Sequence, residues 1–289
     1  MMRTNQNDSD DLIRRALAAF NSGNHRQAID VCELGLKQHP GDPALCHLLA
    51  AVLFAEADLP EARARIEASL ATRPDNAPAL ILACRIARAE GRFEAAFQFL
   101  DRAARLSSQA EMLVERARTF DQAGDAPAAS ASWTLVLQRD PKSGEAAARL
   151  GRLAWQRRAA VEAEGLLERA GAGGGHPSAW FDLGLVRQDM RKFGSAAQAY
   201  RRVLEMSPAP REAAVNLGVV LQETGDLDEA MAAYSLAYGL SSSTFSVIAM
   251  ALTSAPRGRL WLDQKALRRS LAGGASPPGA KPLAVDAGR

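Results

Sequence analysis

Five arginines, Arg85, Arg88, Arg118, Arg149 and Arg152, carry the clearest chemical pattern in this sequence. Arg85, Arg118 and Arg152 follow one another at steps of 33 and 34 residues, so a chain repeating with that period would set them in line. A guanidinium presents a planar fork of N–H donors that suits a carboxylate or a phosphate. The chemistry on offer is recognition of acidic groups rather than bond making. Glu111, Glu115, Asp121 and Glu145 lie close by in sequence, so pairing within the protein is the competing fate of the same arginines.

Other reactive residues form no such pattern. His25, His39, His47 and His176 stand in unrelated contexts, with no base or nucleophile at a telling distance. Cys32, Cys46 and Cys84 make no C-x-x-C pair and sit at apolar helical positions, as buried thiols do. No P-loop, dinucleotide fingerprint, zinc-protease or nucleophile-elbow motif occurs, and "GAGGGHP" lacks the following Lys-Ser/Thr of a phosphate loop. The expectation is a non-enzyme with no catalytic residues, no metal and no cofactor.

The elements that would position the arginines come from a repeat. The alanines Ala28, Ala62, Ala96, Ala129, Ala163, Ala196 and Ala230 recur at steps of 33 or 34 residues. Twelve residues before each lies another small residue: Ala16, Ala50, Cys84, Ala117, Gly151, Gly184 and Gly218. Five before each comes a turn position, held by Gly23, Ala57, Gly91, Gly124, Arg158, Arg191 and Gly225. Pro40, Pro74, Pro141 and Pro208 mark where four copies must stop being helical. Each copy therefore reads as two amphipathic helices and a short turn, with the small residues placed where helices cross closely. Asp226 reads as the N-cap of the last copy's second helix.

Seven copies at near-constant spacing resemble the tetratricopeptide repeat (TPR) family, most plainly in "AWFDLGLVRQDMRKFGSAAQAYRRVLEMSP" from Ala179 and "AAVNLGVVLQETGDLDEAMAAYSLAYGL" from Ala213. Trp180, Leu183, Gly184, Phe193, Ala196, Tyr200 and Pro208 match that family's signature. The resemblance implies an all-α fold, a right-handed superhelical solenoid, with repeats at 9–42, 43–76, 77–109, 110–143, 144–176, 177–210 and 211–244. Residues 1–8 are set apart as an N-terminal tail, 245–271 as capping helices and 272–289 as a disordered tail. Trp261 in the capping segment has a second reading as a partner-docking residue. Glycines in 171–175 read either as a hinge or as a longer solvent loop.

The resemblance also implies that the first helix of each repeat lines a concave groove. Arg85, Arg118 and Arg152 then hold one equivalent position, with Arg88, Arg149, Trp155, Phe181 and Asn216 at neighbouring lining positions. The implied function is a non-catalytic scaffold holding a protein or peptide with acidic groups in that groove. The alternative is an adaptor beside a separately encoded sugar- or sulfate-transferring enzyme. Neither the Lys/Asn clamp for chaperone tails nor the asparagine ladder of sugar-transferring relatives is present, Asn216 alone matching the latter. A net charge of +2 gives no general attraction for nucleic acid. The opening "MMRTNQNDSDDLIRR" has no apolar core and the most apolar stretch, from Ala44, is too short to span a bilayer, so a cytoplasmic protein without membrane insertion is expected. The Ala/Arg-rich composition suggests a bacterial source.

Overall fold

The computed structural model describes residues 2–106, 109–173, 176–206, 210–254 and 263–273. Those residues form sixteen α-helices, one short 3-10 turn and no strand. They fall into two compact units, residues 1–141 and 142–289.

Unit 1 holds four helix pairs: α1 (Met2–Asn21) with α2 (His25–Gln38), α3 (Pro43–Ala55) with α4 (Leu59–Thr72), α5 (Ala77–Ala89) with α6 (Phe93–Ala103), and α7 (Gln109–Ala123) with α8 (Ala126–Arg139). Unit 2 holds α9 (Gly144–Gln156) with α10 (Ala160–Ala172), α11 (Pro177–Asp189) with α12 (Phe193–Met206), and α13 (Arg211–Thr224) with α14 (Leu227–Leu240). It ends in α15 (Phe245–Ser254) and α16 (Gln264–Gly273). The pairing is the solenoid arrangement that the repeat implied.

Helix starts follow from polar caps. Asp42 accepts from the backbone N–H groups of Ala44 and Leu45 at 2.8 and 3.1 Å, with Pro43 next to it in the first turn. Asp58, Asn76, Asp125 and Ser143 do the same for α4, α5, α8 and α9. Asp226 departs from expectation. It occupies the cap position of α14, but its carboxylate accepts the Thr224 hydroxyl at 2.7 Å and caps no backbone N–H. At the N-terminus the helix already begins at Met2, because no Gly or Pro interrupts the chain before Gly23; the segment set apart as a tail is mostly the start of α1.

The turn between paired helices needs one residue in the left-handed region. Gly23, Gly91, Gly124 and Gly225 supply it without steric cost. Ala57, Arg158 and Arg191 adopt it too, at φ 62°, 66° and 56°, so the geometry is kept even where glycine is missing. The repeat overrides local preference there.

Packing explains the small residues. A Cβ on Gly218 would lie 2.4 Å from the Tyr234 ring, on Gly184 2.5 Å from the Tyr200 ring, and on Gly151 2.7 Å from Leu167. In every repeat the small residue and its buried counterpart stand sixteen positions apart, through Ala16/Cys32, Ala50/Ile66, Cys84/Leu100 and Ala117/Trp133. Both Tyr and one Leu take glycine, while Cys32, Ile66, Leu100 and Trp133 face a residue that keeps its Cβ.

Gly171 has the same cause, since its Cβ would sit 2.8 Å from the Trp180 ring. Around it α10 is tied to α11 and the following turn. Glu164 meets Arg187 at 3.2 Å and Lys192 at 2.5 Å, and Glu168 pairs with Arg187. At the end of unit 2, Leu267 and Leu271 of α16 join Phe245, Ile248 and Leu252 of α15 in the core with α13 and α14. Asp263 caps α16 through the Lys265 N–H at 2.7 Å, and Arg268 lies 3.9 Å over the Phe245 ring. Helix α16 runs to Gly273, two residues past the end expected for the capping segment. Trp261, Pro208 and 274–289 lie outside the described residues.

Candidate functional site

In unit 1 the site is built on one face of α5 and α7. Arg85 and Arg88 stand one helical turn apart on α5, and Glu115, Arg118 and Thr119 share a face of α7. Glu115 is almost wholly buried, with 1% of its side chain exposed. Its Oε1 accepts from Arg85 Nε at 2.9 Å and from Arg118 Nη1 at 3.0 Å. Its Oε2 accepts from Arg88 Nη1 at 2.6 Å. Burial by itself would raise the pKa of this carboxyl, but the hydrogen bonds and charges of Arg85 and Arg88 outweigh it and hold the pKa below the ordinary value. Arg88 is nearly buried at 11%, whereas Arg85 and Arg118 keep 37% of their side chains exposed.

Three of the arginines named from sequence therefore meet on one carboxylate. Arg85 also reaches Glu111 at 3.5 Å, so pairing within the protein does occur. Pairing does not consume a guanidinium, which has five donors; it fixes the group's orientation.

Unit 2 repeats the device with different partners. Arg152 of α9 directs Nε and Nη2 to Asp182 Oδ2 of α11, at 3.0 and 2.5 Å, and Asp182 is 10% exposed. Trp155 Nε1 donates to Asp189 Oδ2 at 2.8 Å. Arg85 to Glu115 and Arg152 to Asp182 both span 30 residues, from one first helix to an equivalent position on the next. Such an acid thirty residues after the arginine was readable in the sequence; the roles of Asp182 and Asp189 were missed because only nearby acids were weighed.

Beside Arg152 lies a recess of about 550 Å³, lined by Glu145, Arg149, His176 and Ser178 among others. Arg149 is exposed on α9. His176 caps α11, its Nδ1 accepting from the Ser178 N–H at 3.4 Å. Neither His176 nor Ser178 stood out in the sequence, because a helix-capping pair is also what an ordinary turn uses.

The two remaining lining residues turn partly inward. Phe181 makes an edge contact with Tyr200, centroids 5.8 Å apart, and is half-buried. Asn216 hydrogen-bonds the Tyr200 oxygen, while the Tyr200 hydroxyl donates to Gln188 at 3.0 Å. Burial pushes the Tyr200 pKa well above its usual value. Both residues thus link α11 or α13 to α12.

The other reactive groups are quiet. Cys32, Cys46 and Cys84 are buried free thiols, and burial raises the pKa of Cys32 to about 12 and of Cys84 to about 11. His25 pairs with Glu56. Among the described residues no group of three His, Cys, Asp or Glu side chains is placed to hold a metal ion, and no helix is long and apolar enough to cross a membrane.

Two family models, both described as tetratricopeptide repeat, match this chain: one over residues 114–177 and 181–243, the other over 19–83. No curated protein sequence matches it. Among solved structures it is similar to PilF of Pseudomonas aeruginosa, with 19% identity, a TM-score of 0.61, and coverage of 73% of this chain and 96% of that one. PilW, described as a type IV pilus biogenesis factor, aligns at 15% identity and TM-score 0.63, covering 74% and 98%. A tetratricopeptide repeat protein from Parabacteroides merdae aligns at 15% and 0.60, covering 85% and 99%. At such identities the likeness is one of fold.

Proposed function

The chain belongs to the tetratricopeptide repeat family, whose fold serves protein–protein interaction, and from that premise we propose that its first-helix faces hold a protein partner through acidic side chains. The observation that carries this reading is the arrangement of arginines on buried carboxylates. Glu115 and Asp182 hold one edge of Arg85, Arg118 and Arg152, while these side chains stay 37% to 42% exposed. Arginines already oriented lose little conformational freedom when an acidic group arrives. In unit 2 the recess beside Arg149 and Arg152 offers room for a partner's side chain.

A guanidinium–carboxylate contact at a half-exposed site is weakened by salt, because the Debye length is about 8 Å at physiological strength. The test is capture of partners by the full chain from cells of its own source. Arg118→Glu and Arg152→Glu, each made separately, should cut capture several-fold with folding retained. Arg201→Glu and Arg202→Glu change arginines paired on α12 to Glu229 and Glu205, and should leave capture intact. Equal capture by all four variants sinks the reading.

A further inference from the structure

Unit 1 presents two chemically different halves on its first helices. On α1 and α3 most lining positions are apolar, Ile13, Leu17, Phe20, Leu48, Ala51 and Phe54, with Arg14, paired to Asp11, as the charged exception. Leu17 is 45% exposed, and the other five are half-buried, so apolar surface remains at hand there. His47 lies among them, and burial lowers its pKa, which favours the neutral imidazole. On α5 and α7 the same positions carry Arg85, Arg88 and Arg118, gathered on Glu115.

From this juxtaposition we propose that unit 1 takes an extended partner segment in which an apolar block and an acidic block are separated by about five or six residues. This deepens the protein-binding reading above and rests on it. The spacing follows from the packing. The first helices touch in order, α1 on α3, α3 on α5 and α5 on α7. Neighbouring helix axes lie roughly 8–10 Å apart, which puts the centre of the apolar half about 16–20 Å from the centre of the arginine half. An extended chain advances about 3.3 Å per residue, so five or six residues span the gap. Charge complementarity chooses the acid: three guanidiniums gather on Glu115, and Arg85 and Arg118 are already oriented with 37% of their side chains exposed. Apolar side chains at the other end meet Leu17 and its neighbours, where exposed hydrocarbon is removed from water.

The experiment uses the full chain and fluorescent synthetic peptides read by polarisation at low and physiological salt. The probe carries a Leu-Phe-Leu block and a Glu-Glu block separated by five Gly/Ser residues, made in both chain directions. Controls replace Glu with Gln, shorten the spacer to one residue, or replace the apolar block with Ser. In at least one direction the probe should bind at least tenfold tighter than each control, and more weakly as salt rises. Leu17→Gln, an exposed change remote from the charge cluster, should weaken it about tenfold, as should Arg118→Gln. Arg201→Gln, an arginine of α12 paired to Glu229, should leave it unchanged, and Arg152→Gln is measured beside it to separate the two units. Equal binding of probe and controls, or indifference to both Leu17→Gln and Arg118→Gln, overturns the inference. Should peptide binding depend on Arg152 alone, this inference falls while the protein-binding reading stands; should the chain capture no protein partner at all, both fall.

Discussion

Glu115 stands where Arg85, Arg88 and Arg118 meet, and it is the charge that gathers the three guanidiniums of unit 1. A buried carboxylate is costly unless it is paired and hydrogen-bonded, and here it is both. Its pKa in the fold lies below the ordinary value near 4.3 for a free glutamate. A lowered folded pKa means that Glu115 contributes stability above the unfolded value, and that this contribution is lost as pH falls through the folded one. Glu115→Gln should therefore cost about 3 kcal/mol near neutral pH, chiefly because Arg88 would keep its charge in a nearly buried place. As pH falls below the unfolded value the gap to wild type should narrow, since the unfolded chain then takes up a proton on this carboxyl before the folded one does. Urea melts at pH 7 and pH 3.5 measure both; a gap that stays constant would mean that Glu115 does not titrate with folding. The acid itself was visible in the sequence as one of four neighbours. That three arginines share it was not, because helix faces from different repeats meet only in three dimensions.

Between elements, the governing feature is the match between a small residue on the first helix and a large one on the second. Gly184 and Tyr200 are the sharpest case, with 2.5 Å between the missing Cβ and the ring. Gly184→Ala should cost about 1–3 kcal/mol through overpacking, although alanine by itself favours a helix by about 1 kcal/mol. Repeats that pair Ala50 with Ile66 and Cys84 with Leu100 show the compensating combination. Gly184→Ala with Tyr200→Leu should then be more stable than the two single changes summed, by about 1 kcal/mol or more. Strictly additive thermal melts would show that the ring and the glycine do not meet. This rule was legible from spacing, since the two positions keep their separation in all seven copies. The strap of Glu164 and Glu168 on Arg187 was not, because nothing in the period marks those charges.

On the scale of the whole chain, a stack of repeats must cover its last apolar face. Leu267 and Leu271 of α16, with Phe245, Ile248 and Leu252 of α15, are buried in the same core as Val220 and Tyr234. Gln222 adds a hydrogen bond from its Nε2 to the Ala251 carbonyl at 3.4 Å. Removing residues 245–289 should leave that core open and lead to self-association or precipitation, read by light scattering and size exclusion. A monomer with an unchanged melting curve would show that α13 and α14 need no cover.

Periodicity is a local property, and it was enough to determine the helix pairs, their turns and the close crossings. Seven spaced copies constrain each other, so even Arg158 and Arg191 take a backbone conformation that their own preferences oppose. The arginine spacing was equally legible, because a repeated register gives Arg85, Arg118 and Arg152 equivalent places each on its own first helix. Their state was a different matter. Whether Arg85 meets Glu111, Glu115 or solvent depends on how side chains on separate helices are placed, to which composition and spacing are blind. The same holds for the recess beside Arg152, whose walls come from the end of α10 and the start of α11 as well as α9. Tertiary packing chose the partners, because hydrogen bonds and burial are settled only where elements from distant parts of the chain come together.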